Sequence, residues 1–348
     1  MHEGSSLAVS WPLLALTLGC GAPQIVVDAP EPTVDSPSES SSDSPVAAPE
    51  LPGCTDGVLK AFDAERIQPP AAGSDSFTLP SNTMKQALTR SIESLVSGSI
   101  EEALEGAAQA GYRLCRGEGD EAALVLWEPE SPGTGRPVFV LRTEGARALI
   151  LEAPHSWFDT DTMIEGRSMF GPLQARVLLS SGAHRCSSST LSGCDGTTGT
   201  CGSSGPYTES DPAHSVETAF HAVHESLGAL YPDDVVLGLH GMAAEGISLS
   251  DGTSYDVDEE SFVARLAEAL TVAYASSNVT SCNDYEGANV DRRLCGSTDV
   301  QGRQLNGSPI PCTEAASSSG GRYIHIEQDL GIRRDPEALI GVLDELLP

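Results

Sequence analysis

Four short apolar runs, each ending at a histidine or an acid, constrain this chain more than any other feature. Ala148-Leu-Ile-Leu leads through Glu152 and Pro154 to His155, and Arg176-Val-Leu-Leu-Ser leads to His184 and Arg185. Asp234-Val-Val-Leu-Gly-Leu leads to His240, and Arg322-Tyr-Ile-His-Ile leads to Glu327. Each run has the length of a strand, and segments with helical spacing lie between them. Strands alternating with helices form a sheet covered by helices, and ligands collect outside the carboxyl ends of such strands. The expected fold is therefore α/β, a three-layer α/β/α sandwich whose strand ends present one polar site.

The sheet should be mixed. Ala122 to Trp127, Pro137 to Arg142 and Ala148 to Leu151 read as strands, and the turn Thr143-Glu-Gly-Ala suggests that the last two form an antiparallel hairpin feeding His155. Helices are expected from Ser81 and Ser97 onward, over Thr160 to Gln174, and over Asp258 to Ser276. Asp211-Pro212 and Asp335-Pro336 each look like a capped helix start, the first running to about Leu230. Val300-Gln-Gly-Arg-Gln-Leu-Asn-Gly reads as a polar loop, either lining the substrate side or making a structural turn.

The net charge of -31, with two lysines, argues against a nucleic-acid partner, because phosphate would be repelled. Residues 1–20 resemble a signal peptide of lipoprotein type. The apolar stretch Leu7 to Leu18 is too short to span a bilayer, and Thr17-Leu-Gly-Cys20 resembles a lipobox, so the only membrane contact expected is a lipid on Cys20. Residues 21–52, rich in Pro, Ser and acids, should be a disordered tether, and residues 53–348 a single domain. Export to a bacterial periplasm or cell surface suits the cysteines. Setting Cys20 aside, eight of the nine remain, an even number fit for disulfides, with local bridges expected within 186/194/201 and 282/295/312 and the leftover members pairing further afield.

The strand ends suggest a metal. A catalytic zinc commonly takes two histidines and a carboxylate and keeps a fourth position open. His155 and His240 come from different strand ends, Asp159 is four residues past His155, and Glu327 ends the last strand, where a general base would stand. Arg185, Arg333 or Arg334 would hold a substrate carboxylate or an oxyanion. A second candidate is the helix bearing His214-Ser-Val-Glu217, His221 and His224, in which the last three acid and imidazole groups share a face. Each of these histidines also has a plain structural reading as a hydrogen-bonded imidazole. His184 would contact substrate or support a ligand, and His325, alternating with Ile324 and Ile326, belongs to the core or behind the ligands.

Pro154-His155-Ser, Leu239-His240-Gly241 and Tyr323-Ile-His-Ile-Glu327 with Arg333 behind it resemble the zinc-dependent exopeptidase and amidohydrolase group. That group includes N-formylglutamate amidohydrolases, poly-γ-glutamate hydrolases and metallocarboxypeptidases. The resemblance implies a zinc held by His155, a carboxylate and His240, with Glu327 as base. The carboxypeptidase pattern places a glutamate three residues after the first histidine, whereas here that position is Phe158. Asp159 is the nearest acid, with Glu152 and Asp161 as alternatives. The expected activity is a zinc metallohydrolase cleaving an amide or peptide bond beside a carboxylate by metal-activated water, on a small peptide or acyl amino acid. The alternative is a metal-free relative that binds a peptide or cell-wall ligand.

Overall fold

The structure is a computed structural model that describes residues 51–54, 68–117, 122–129, 133–202 and 204–347. The expected signal peptide, Cys20 and the tether as far as Glu50 lie outside the described residues. In chain order the elements are α1 (Asn82–Ser97), α2 (Ile100–Gln109), β1 (Arg113–Arg116), β2 (Ala123–Trp127), β3 (Val138–Arg142), β4 (Arg147–Ala153), α3 (Thr162–Phe170) and β5 (Ala175–Ser180). They continue as α4 (Ala219–Leu230), β6 (Val235–Gly241), β7 (Ile247–Ser250), α5 (Phe262–Ala273), β8 (Val279–Ser281), α6 (Val300–Leu305), β9 (Tyr323–Gln328), α7 (Leu330–Arg334) and α8 (Glu337–Leu346). Among the described residues no helix is long and apolar enough to cross a membrane.

The strands form a mixed sheet of nine in the order β1-β2-β3-β5-β4-β6-β9-β7-β8. Its centre is parallel, β5 with β4, β4 with β6 and β6 with β9, and antiparallel pairs flank it. Alternation along the strands sends Leu149, Leu151, Leu237, Leu239, Ile324 and Ile326 to one face, where α3, α5 and α8 cover them. Ile150, Val236 and Tyr323 take the other face, beneath α1, α2 and α4. The α/β class is thus borne out, with helices packed on both faces of the sheet. On the second face the pattern turns polar toward the strand ends. Glu152 pairs with Gly238, Gly238 with His325, and His240 with Glu327, so four chemically active side chains share one face and one end.

Several local expectations hold. Ser81 caps α1, its hydroxyl accepting from Met84 N at 3.2 Å, and Ser261 caps α5 in the same way. Others are corrected. β3 and β4 do not pair as a hairpin, because β5 lies between them. Val138 to Leu141 are buried on both faces, so β3 has no two-residue alternation from which a neighbour can be assigned. The helix expected from Asp211 starts only at Ala219, capped by Thr218. Pro212–His214 is a single 3-10 turn, and Asp211 makes no cap bond because its carboxylate is committed to charged side chains in the site. The polar loop after Asp299 is instead the short helix α6, with Val300 to Arg303 buried. The strands β1, β7 and β8 and the helix α7, capped by Asp329, were not anticipated.

The described cysteines form four disulfides: Cys54–Cys115, Cys186–Cys201, Cys194–Cys312 and Cys282–Cys295. One local bridge closes within each cluster, and the two leftover members join the clusters to each other. Four bridges fit an oxidising compartment.

Candidate metal centre

β4 delivers His155, and the loop after it delivers Asp159. The carbonyl of His155 accepts from the backbone N–H groups of Phe158 and Asp159, both at 2.8 Å, so the chain makes one helical turn and sets Asp159 over His155. Two further bonds fix this turn to the end of β5: Ser156 Oγ meets Ser180 Oγ at 2.7 Å, and Trp157 Nε1 donates to Ser181 O at 2.7 Å. β6, the next strand on the other side of β4, brings His240 to the same point.

The three polar groups converge tightly. His155 Nδ1 lies 3.2 Å from His240 Nδ1 and 3.3 Å from Asp159 Oδ2, and His240 Nδ1 lies 3.7 Å from Asp159 Oδ2. Donors held tetrahedrally at the usual zinc distances of about 2.0–2.2 Å stand about 3.3–3.6 Å from one another. The donor set and its spacing therefore fit a small divalent metal. Glu152 and Asp161, the other carboxylates considered, are elsewhere: Glu152 Oε1 meets His224 Nδ1 at 2.7 Å in the buried interior, and Asp161 accepts from Arg334 at 2.6 Å.

A second ring of groups holds the histidines. Asp211 Oδ1 is 2.9 Å from His155 Nε2 and 3.1 Å from His214 Nδ1, while its Oδ2 accepts from Arg185 Nε at 2.8 Å. His214 Nε2 in turn reaches Thr298 Oγ1 at 3.1 Å and stands 3.4 Å from Asp299 Oδ1. Asp299 Oδ2 lies 2.9 Å from His325 Nδ1 and 3.6 Å from His240 Nε2. His214 thus spans the two carboxylates that back the strand-end histidines. Gly296, with φ at +61°, runs so close that a Cβ there would sit 2.6 Å from His325 Nδ1.

The charges follow from these contacts. Burial and the Arg185 guanidinium would lower His155, but Asp211 and Asp159 outweigh them and hold its pKa up at about 9. Burial and the neighbouring charge of His325 keep His240 neutral, its pKa well below the ordinary value. His325 is also buried, yet Asp299 and Glu327 raise it to about 10. Burial would raise Asp299 and Asp159, and the imidazoles beside them lower both. Asp159 also accepts the backbone N–H of Gly241.

A cavity of about 650 Å³ opens over these groups, large enough for a short peptide or an acyl amino acid. His155, Asp159, Arg185, His325 and Glu327 line it. Glu327 Oε1 is 3.4 Å from His325 Nε2, and its backbone is in register with His240. Arg333 is not among the lining residues. It is buried, and its guanidinium packs against Gly241, beside Asp159, so closely that no Cβ would fit there. Arg334 is exposed and paired with Asp161. His184 accepts from the backbone N–H of Cys186 at 3.1 Å and packs edge-on to Phe158 at the rim.

The helix alternative does not assemble. Glu217 points outward to Lys85 at 2.9 Å, His221 is buried with burial pushing its pKa down to about 3, and His224 pairs with Glu152. The sequence reading missed Asp211, Asp299 and Tyr207, whose ring stacks on His214 with centroids 3.5 Å apart. The spacing Asp211-Pro-Ala-His214 was the available signal for the first of these.

No protein-family model and no curated protein matches the sequence. Among solved structures, the crystal structure of a "putative carboxypeptidase" from Burkholderia mallei ATCC 23344 aligns over 71% of this chain and 67% of its own, at 10% identity and a TM-score of 0.34. A likeness this low carries no argument for the fold or the activity, and the centre is interpreted from its own geometry.

Proposed function

We propose that the protein is a zinc-dependent hydrolase that cleaves an amide or peptide bond adjacent to a carboxylate. The observation that carries this reading is the convergence of His155 Nδ1, His240 Nδ1 and Asp159 Oδ2 within 3.2 to 3.7 Å, beside an open cavity that His155 and Asp159 line. Two imidazoles and one carboxylate are a common donor set of catalytic zinc and leave a position open. When bound, zinc supplies Lewis-acid polarisation of a carbonyl and lowers the pKa of water to about 7.

The protein groups divide the remaining work. Asp211 holds His155 by the nitrogen that faces away from His240, which fixes the ring and its tautomer. Glu327 takes a proton from the attacking water and returns it to the leaving amine. General-base help of this kind contributes about two to four powers of ten. Arg185, locked against Asp211, turns Nη1 to within 3.2 Å of His155 Nδ1 and is placed to stabilise charge that develops on the carbonyl oxygen. The substrate is a small peptide or an acyl amino acid, nucleic acid is excluded on charge, and export with a lipid on Cys20 completes the reading.

Metal analysis of protein purified without chelator, followed by assay on a panel of N-acyl amino acids, γ-glutamyl compounds and peptides, tests it. One zinc per chain with turnover is the expected result. A zinc-loaded protein that hydrolyses none of the panel would favour a binding module instead.

A further inference from the structure

Cleavage beside a carboxylate requires a cation on the substrate side, and the three arginines expected there fare differently in the fold. Arg185 lines the cavity, but two of its nitrogens are bonded to Asp211 and a third faces His155. Arg333 does not line the cavity, and Arg334 is paired with Asp161. Among the described residues that line the cavity, one more is an arginine, Arg292, and none is a lysine.

The environment of Arg292 differs from that of Arg185 in a way that suits ligand binding. Its Nη2 stands 3.7 Å from Asp256 Oδ1 and 4.0 Å from Asp284 Oδ2, and those acids are 85% and 54% exposed. Exposed pairs at such distances contribute little, so a ligand carboxylate can replace them at small cost. The neighbour Arg293 is turned outward and chelated by Asp291, whereas Arg292, itself 53% exposed, is among the residues that line the cavity. Its backbone is held on both sides. Asp291 N donates to Ser281 O at 2.9 Å, and Cys295, bridged to Cys282, has its carbonyl bound by Ser250 Oγ at 2.6 Å. A guanidinium on a pinned loop loses less entropy on binding than one on a mobile loop.

Resting on the hydrolase reading above, we propose that Arg292 is the specificity-determining residue of this site and selects substrates bearing a free carboxylate. The wall beside it supplies Thr197, Thr198, Ser254 and Ser297, with Leu294 and Met242 as the apolar part, which suits a short polar anion better than a long acyl chain. The chain's net charge of -31 gives this local cation more weight, since an anionic substrate meets repulsion almost everywhere else.

Calorimetric titration of the protein as purified with glutarate and with its neutral isostere glutaramide tests the assignment without needing turnover. The wild type should bind glutarate more tightly, Arg292→Ala should narrow the difference about tenfold or more while metal content and melting temperature stay unchanged, and Arg292→Lys should restore part of it. A preference for glutarate that persists in Arg292→Ala, or a wild type that does not distinguish the two ligands, overturns the assignment. If the preference is lost as expected in a protein that hydrolyses nothing, the assignment of Arg292 stands and the proposed reaction falls.

Discussion

Asp211 Oδ1 sits 2.9 Å from His155 Nε2, on the side of the ring opposite the nitrogen that faces His240. A carboxylate there orients the imidazole and raises its basicity toward a metal. Asp211→Asn should therefore weaken zinc binding about 10- to 100-fold, the usual effect of losing such a partner, while keeping the fold. Competition with a chromogenic chelator measures it. Unchanged affinity would mean that Asp211 serves only Arg185 and His214.

His155→Ala and His240→Ala should each lose the metal outright, because each removes a donor from the 3.2 Å pair. His221→Ala should keep it, since His221 is buried on α4, away from the strand ends, and its ring stands 3.7 Å from Glu225. Metal content by elemental analysis separates the cases. Loss of zinc from the His221 variant alone would move the centre to the helix.

Glu327→Gln should keep zinc and the melting temperature and lower kcat about a hundredfold or more, with KM little affected. The conservative amide retains the volume beside His325 and removes only the proton acceptor. Full activity in this variant would exclude Glu327 as the base.

The metal-free protein should be most stable in mild acid. His155 and His325 titrate near 9 and 10 in the fold, above their ordinary 6.5, so the stability they contribute is complete below about pH 6.5 and lost as the pH rises through those values. Asp159, Asp211 and Asp299 are lowered, and their contribution is present above about pH 4 and lost as the pH falls. Thermal melts of chelator-stripped protein from pH 4 to 10 should pass through a maximum near pH 6.5 and decline on both sides, since His221 and His240, lowered by burial, cost stability as the pH falls below about 6.5. A melting temperature that climbs from pH 7 to 10 would contradict the charge assignment of the centre.

The three converging groups, His155, Asp159 and His240, were legible in the sequence because each is carried by a strand end or by the turn just past one, and strand periodicity survives in the primary structure. Asp211 and Asp299 were not. Both come from loops whose path is set by tertiary contacts and disulfides, and Asp211 before a proline has the local form of a helix cap. Its side chain went instead to Arg185 and His155, where charge-assisted bonds are stronger than a cap. The arginines illustrate the same limit. Arg185 and Arg333 were both expected at the substrate, yet α7 buries Arg333 against Gly241, and nothing local marks Arg292 as a residue that lines the cavity. The hairpin feeding His155 failed for a related reason, because a strand buried on both faces does not encode its neighbour.

Three of the four disulfides, Cys186–Cys201, Cys194–Cys312 and Cys282–Cys295, tie down the segments that wall the cavity, and none joins two central strands. The two parts of the molecule therefore mature by different chemistries. Apolar burial holds the sheet whose strand ends carry the histidines, whereas the walls are tied by bridges that form only once thiols have been oxidised. A chain that folded among reduced thiols would lack the bridges that tie the loops bearing Asp211 and Asp299, so the carboxylates behind the histidines would settle only after the last bridge closes.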